Sequence, residues 1–133
     1  MTHSNRALLD TSAVIALFAG EPSAVAAVEA KGEVLLPAIA LGELYYGAYR
    51  SVRQESNLAR LDEFGQRVAV LHCDAATARC YGEAKALLAA KGRPIPENDL
   101  WIAALALQHN AIVITRDAHF EQVKSLRVEL LPT

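Results

Sequence analysis

Five short apolar runs constrain this chain most: residues 7–9, 34–36, 68–71, 112–114 and 128–130, each rich in Val, Ile and Leu and each followed by polar residues. Runs apolar at successive positions suit strands buried on both faces, because a sheet with one wet face alternates apolar and polar residues. Helical patterns lie between them. Residues 12–19 begin with Ser12 and close on Gly20, and residues 23–31 begin with Ser23 after Pro22 and close on Gly32; both predict short helices. Over residues 40–50, Leu41, Leu44, Tyr45 and Ala48 recur at spacings of three and four, giving a helix with Glu43 near the edge of its apolar face. Further helices are expected over 55–64, over 75–91 behind a capping Asp74 and ahead of Gly92, and over 99–109, with Asn98 as cap and Asn110 as stop.

Strands alternating with helices predict a mostly parallel sheet, since parallel neighbours need long crossover connections that put helices on both faces. The fold class is therefore α/β, a three-layer α/β/α arrangement. A chain of 133 residues without repeats or a linker-like stretch suits one domain, residues 1–133. With 53% apolar and 21% charged residues it has enough apolar material for a core. No apolar stretch reaches membrane-spanning length and the opening residues lack a signal-like core, so a cytoplasmic location is expected, with no membrane partner. Cys73 and Cys80 match neither a redox pair nor a zinc knuckle and are expected to be buried thiols. The net charge of −2 argues against a uniformly basic nucleic-acid grip but permits a local cluster of cations.

Four acids stand where chemistry gathers in such folds. Asp10 follows the first apolar run and Asp117 follows the fourth, and functional sites of open parallel sheets lie beyond the carboxyl ends of strands. Asp99 sits at a helix start and Glu43 inside a helix. Converging carboxylates repel unless a cation lies between them, and oxygen donors without a Cys or His set suit a hard ion, Mg2+ or Mn2+, rather than zinc. Such a centre can activate water for attack on phosphorus. Each acid also has a plain reading: Asp10 as a helix cap, Asp99 as a cap or first-turn acid, Glu43 as a solvated side chain and Asp117 as a turn former.

Four segments, taken in order, carry a resemblance: Leu-Leu-Asp-Thr-Ser-Ala from Leu8, Ala-Leu-Gly-Glu-Leu-Tyr-Tyr-Gly from Ala40, Asn-Asp-Leu-Trp-Ile-Ala-Ala from Asn98 and Ile-Thr-Arg-Asp-Ala-His-Phe from Ile114. Together they resemble the PIN-domain VapC toxins over residues 8–120, continuing into Leu-Arg-Val-Glu at the end of the chain. The resemblance implies a metal-dependent endoribonuclease, the toxin of a type II toxin–antitoxin pair, with Asp10, Glu43, Asp99 and Asp117 as catalytic, metal-holding acids. It also implies an RNA substrate, a VapB-like antitoxin that covers the site and supplies DNA binding, and a homodimer. Thr11, Ser12, Thr115 and Asn98 are placed to hydrogen-bond the acids. Arg116, beside Asp117, is the leading candidate for a phosphate contact, followed by Arg50, Arg53, Lys91 and Arg93.

The remaining features read structurally. Trp101 lies on an apolar helix and is expected in the core, Glu97 belongs to a Pro-rich loop, and Leu44, Tyr45 and Tyr49 form either core or a pairing face. His3, His72, His109 and His119 show no metal-binding spacing, although His119 neighbours Asp117. Two enzymatic alternatives fit less well: a phosphoacceptor receiver lacks its acidic pair after the first strand, and an Asp-nucleophile phosphatase would need an acid where Ser12 stands. The non-enzymatic alternative is a catalytically silent PIN-like scaffold that binds RNA or a partner.

Overall fold

The computed structural model describes residues 5–133, so His3 and most of the opening segment lie outside the described residues. Five strands, β1 (Arg6–Leu9), β2 (Glu33–Pro37), β3 (Ala69–Leu71), β4 (Ile112–Thr115) and β5 (Arg127–Leu130), form one sheet in the order β3-β2-β1-β4-β5. Every pairing is parallel, with Leu8 opposite both Leu35 of β2 and Val113 of β4. Ala7, Leu8 and Leu9 are fully buried in this central strand, as an apolar run covered on both faces requires. From β1 the chain runs outward through β2 to β3, then returns to place β4 on the other side of β1. The strand order therefore reverses between β1 and β4, and a crevice opens there beyond their carboxyl ends.

The helices are α1 (Thr11–Phe18), α2 (Pro22–Glu29), α3 (Ala38–Tyr49), α4 (Gln54–Arg67), α5 (Ala75–Ala90) and α6 (Glu97–His109), with a 3-10 turn over Ala118–Gln122. No single described helix is long and apolar enough to cross a membrane. α6 is the buried helix: Leu100 and Ile102 through Ala106 are all core residues. The expected stops at Gly20, Gly92 and Asn110 have positive φ of 72°, 66° and 52°, the left-handed turn that ends a helix. Asp74 caps α5 as expected, in a reciprocal box with Thr77.

Of the two caps the sequence offers for α1, Asp10 and Ser12, Asp10 makes the cap, because the chain turns into helix directly at the strand end. Two other caps differ from the sequence reading. Pro22 itself opens α2, its missing N–H costing nothing in a first turn, and Ser23 makes no cap. α6 opens behind Pro96, so Asn98 lies inside the first turn instead of capping it. The cysteines also differ: Cys73 is exposed after β3 and Cys80 is half-buried. Trp101 is half-buried, not core, and stacks on Tyr81 with ring centroids 3.9 Å apart. Of the expected pairing face, Leu44 is buried, Tyr45 bonds Asp62 and Tyr49 faces outward, as does its neighbour Tyr46.

Candidate active site

Asp10 is held from three directions. As the cap of α1 its Oδ1 accepts the Ala13 amide at 2.9 Å and the Ser12 hydroxyl at 2.8 Å, and its Oδ2 accepts the Thr115 hydroxyl at 2.6 Å. The residue is only 2% exposed. Burial pushes its carboxyl above the ordinary range, the three hydrogen bonds oppose that rise, and the charge of Asp117 adds to it. The capping role and a role in chemistry are thus compatible, since the cap fixes the carboxylate at the mouth of the crevice.

The ends of β1 and β4 are tied by hydroxyls. Thr115, fully buried, donates to Asp10 and accepts the Asp117 amide at 2.9 Å; Ser12 accepts the Arg116 amide at 3.0 Å. Glu43, on α3, links two other elements. Its Oε1 accepts the Thr11 hydroxyl at 2.6 Å and its Oε2 accepts the Asn98 amide at 3.2 Å, joining the first turns of α1 and α6.

Asp99 occupies the first turn of α6, where unpaired backbone N–H groups favour an anion. Burial raises its carboxyl above the ordinary range, the nearby Asp10 and Asp117 charges add to the rise, and His119 opposes it. Ligand atoms of Asp99, Asp117 and His119 all lie within 4.8 Å of one another. Asp10, Asp99 and Asp117 thus crowd negative charge around the switch crevice, and Glu43 borders it through Thr11 and Asn98. The donor set fits a divalent cation, which would relieve the repulsion that adds to the effect of burial at Asp10 and Asp99.

A model of the PIN domain matches residues 7–126, which include all four acids. The chain belongs to the PIN-domain family. Among curated relatives of this PIN domain, the tRNA(fMet)-specific endonuclease VapC of Shigella flexneri is 39% identical over 100 residues, 74% of this chain and 76% of the relative. Ribonuclease VapC2 of Haemophilus influenzae is 34% identical over 125 residues, 92% of this chain and 95% of the relative. Among solved structures, the VapBC2 complex of Rickettsia felis bound to a promoter DNA fragment contains a chain similar to the PIN domain, with TM-score 0.86, 29% identity and coverage of 96% of this chain and 99% of that one. VapBC-1 of nontypeable Haemophilus influenzae gives a TM-score of 0.84 at 30% identity, covering 94% and 97%. The α/β/α reading therefore holds for the whole described chain.

Two side chains beside the acids make contacts that the sequence does not signal. The Arg116 guanidinium pairs with Glu21 and its Nε donates to the Pro132 carbonyl at 3.2 Å, so it is engaged beside the site and does not extend into it. His119, read as a local structural residue, instead joins Asp99 and Asp117. Its contact with Asp99 spans twenty positions in sequence, so no short spacing motif signals it. An open cleft of about 720 Å³ leads away from His119 between Lys91, Arg93 and Gln122.

Proposed function

We propose that this PIN domain is the ribonuclease toxin of a toxin–antitoxin pair and that it hydrolyses RNA phosphodiester bonds at a centre held by Asp10, Glu43, Asp99 and Asp117. The observation that carries the reading is the gathering of acids from β1, α6 and β4 at the switch crevice, in a chain whose relatives are named as VapC ribonucleases. Asp10, Asp99 and Asp117 are the acids that hold Mg2+ or Mn2+ in this proposal, with Glu43 completing the set. Bound there, the ion supplies an activated water and charge stabilisation at the phosphoryl oxygens.

The chain's own groups do the positioning. Thr115 and Ser12 lock Asp10, so its carboxylate needs little rearrangement on binding. Thr11 and Asn98 hold Glu43 between two helix starts. The cleft beside Lys91 and Arg93 gives the RNA backbone a cation-lined approach to the acids. The name of the Shigella flexneri relative makes transfer RNA the first substrate class to test.

The partners are supported by the two structural neighbours named above, both VapBC complexes, the Rickettsia felis one bound to a promoter DNA fragment. We place a VapB-type antitoxin on this chain, with DNA reached through the antitoxin, a cytoplasmic location and a homodimer. Tyr46 and Tyr49, 64% and 60% exposed, offer the homodimer an aromatic face.

The test is cleavage of transfer and total RNA by the purified, antitoxin-free protein after chelation and after addition of Mg2+ or Mn2+. Cleavage that appears only with the ion and collapses in Asp10→Asn and Asp99→Asn is the expected result. Equal cleavage by parent and both variants would remove the acids from the chemistry. RNA binding without cleavage under every ion condition would replace the nuclease with a silent scaffold.

A further inference from the structure

Among the described residues, His119 is the titratable side chain beside Asp99 and Asp117 that the four-acid reading leaves without a task. Its Nε2 is buried, and its one close polar neighbour, Asp99 Oδ2, is not aligned with it as a hydrogen bond. Buried polar atoms in folded proteins are nearly always partnered, so an orphan beside a charged centre points to a ligand. The side chain as a whole is 31% exposed, with Nε2 on its buried side. It sits on the 3-10 turn over Ala118–Gln122, whose next residue, Phe120, is fully buried, and the two rings lie 4.9 Å apart at a 39° tilt.

The position of the orphan atom is specific. Nε2 approaches Asp99 Oδ2 to 2.8 Å, yet the approach falls outside hydrogen-bond geometry. Two donors on adjacent vertices of an octahedron with bonds of roughly 2.1 Å stand about 3.0 Å apart. The Asp99–His119 separation is close to that value, and Asp117 completes a triangle in which no ligand-atom separation exceeds 4.8 Å. An ion pair held only by charge would instead be expected to align an N–H with the carboxylate.

We propose that His119 Nε2 is a direct nitrogen ligand of the divalent cation, beside Asp99 and Asp117, and that it tunes the centre toward Mn2+ over Mg2+. The inference rests on the metal-dependent reading above. Its chemical basis is that an imidazole nitrogen strengthens binding of first-row transition ions far more than that of Mg2+, which prefers oxygen. The neutral ring ligates through Nε2 while its proton resides on Nδ1.

The deciding experiment uses Mn2+ itself as the probe. Pulsed electron paramagnetic resonance on the full chain loaded with Mn2+ at mildly alkaline pH reads directly bonded nitrogen, and incorporation of 15N-labelled histidine shifts that signal. Expected are one coupled histidine nitrogen in the parent and none in His119→Gln or His119→Ala. Calorimetric titration should show Mn2+ affinity falling on the order of tenfold or more in both variants, and Mg2+ affinity changing less than about threefold. His119→Gln keeps a polar side chain of similar reach, and the labelled parent alone is decisive if the alanine variant unfolds. Mn2+ bound at a site sensitive to Asp99→Asn but with oxygen ligands only would overturn the role of His119 and leave the metal centre standing. Absence of any Mn2+ site sensitive to Asp99→Asn would overturn both.

Discussion

The two sides of the crevice are finished to different degrees. Around Asp10 every visible demand is met within the protein: a helix cap, two hydroxyl donors and 2% exposure. Around Asp99 the side chain is 19% exposed, and its nearest partner, His119, comes close without hydrogen bonding. One carboxylate is preorganised by its own turn and the neighbouring strand, while the other is held in a geometry that an additional ligand would satisfy. That division suits a centre in which one acid acts as a fixed anchor and the opposite group closes on what arrives.

The largest effect should come from removing charge on either side. Asp10→Asn and Asp99→Asn are expected to lower the ribonuclease rate by more than about 100-fold, beyond the 10–100-fold typical of residues that only support a ligand. Single-turnover cleavage of RNA by each purified variant measures this. If Asp10→Asn alone were severe, Asp99 would be reduced to a helix-start acid and the two sides would not share one reaction.

The next effect tests the anchored side. Thr115→Val keeps the shape but removes the donor to Asp10 and the acceptor for the Asp117 amide. Leaving those buried groups unpaired should cost about 1–3 kcal/mol in urea denaturation, with Thr115→Ser recovering most of it. A valine variant as stable as the parent would mean that the hydroxyl bridge between β1 and β4 contributes nothing to the anchor.

The Asp99 side should respond to pH with the opposite sign from a salt-bridged acid. Its carboxyl is raised above its ordinary value of 3.8, so over the interval between that value and the folded one the native protein holds more protons than the unfolded chain. In metal-free protein, the stability linked to that proton is present at low pH and is lost as pH rises through the folded value. Asp99→Asn removes the loss. It should stabilise the chelated protein by about 0.5–2 kcal/mol at neutral pH, the usual gain from relieving a functional site, with the gain vanishing below about pH 4. Melting curves across that range, with and without Mn2+, read the effect; an unchanged difference at every pH would assign the gain to packing.

The same asymmetry marks what could be read from residue order. The strands, Asp10 at the end of β1 and Asp117 after β4 were legible because an apolar run followed by an acid is a local pattern, and a parallel sheet fixes where such an acid lies. Glu43 and Asp99 needed the ordered motifs as well, since an acid on a helix has no local mark of function. The cap at Asn98 was misplaced because Pro96 opens α6 earlier, a choice made by a proline that the loop reading absorbed. His119 was passed over because its partnership with Asp99 is made by tertiary packing: Phe120 pins the 3-10 turn, and α6 brings the acid to it. The exposed Cys73 and half-buried Trp101 show the same limit, since hydrophobic character fixes a preference for burial while the end of a strand or the rim of a helix decides the degree.

The smallest predicted effect concerns two arginines, of which the sequence puts Arg116 first for substrate binding. Arg116 is adjacent to Asp117, but its guanidinium is committed to Glu21 and to the Pro132 carbonyl. Arg93 lies well before Asp117 in the chain, is exposed, and lines the cleft that reaches His119. In an Asp10→Asn background, where RNA binds without turnover, Arg93→Ala should weaken affinity by a few-fold and reduce the slope of log K against log salt by about 0.7, the share of one phosphate contact on a single strand. Arg116→Ala should leave the slope unchanged, because no counterion is released by a cation already paired within the protein. Equal losses in both variants would return the Arg116 guanidinium to the RNA, and would mean that the contact with Glu21 opens whenever substrate enters the crevice.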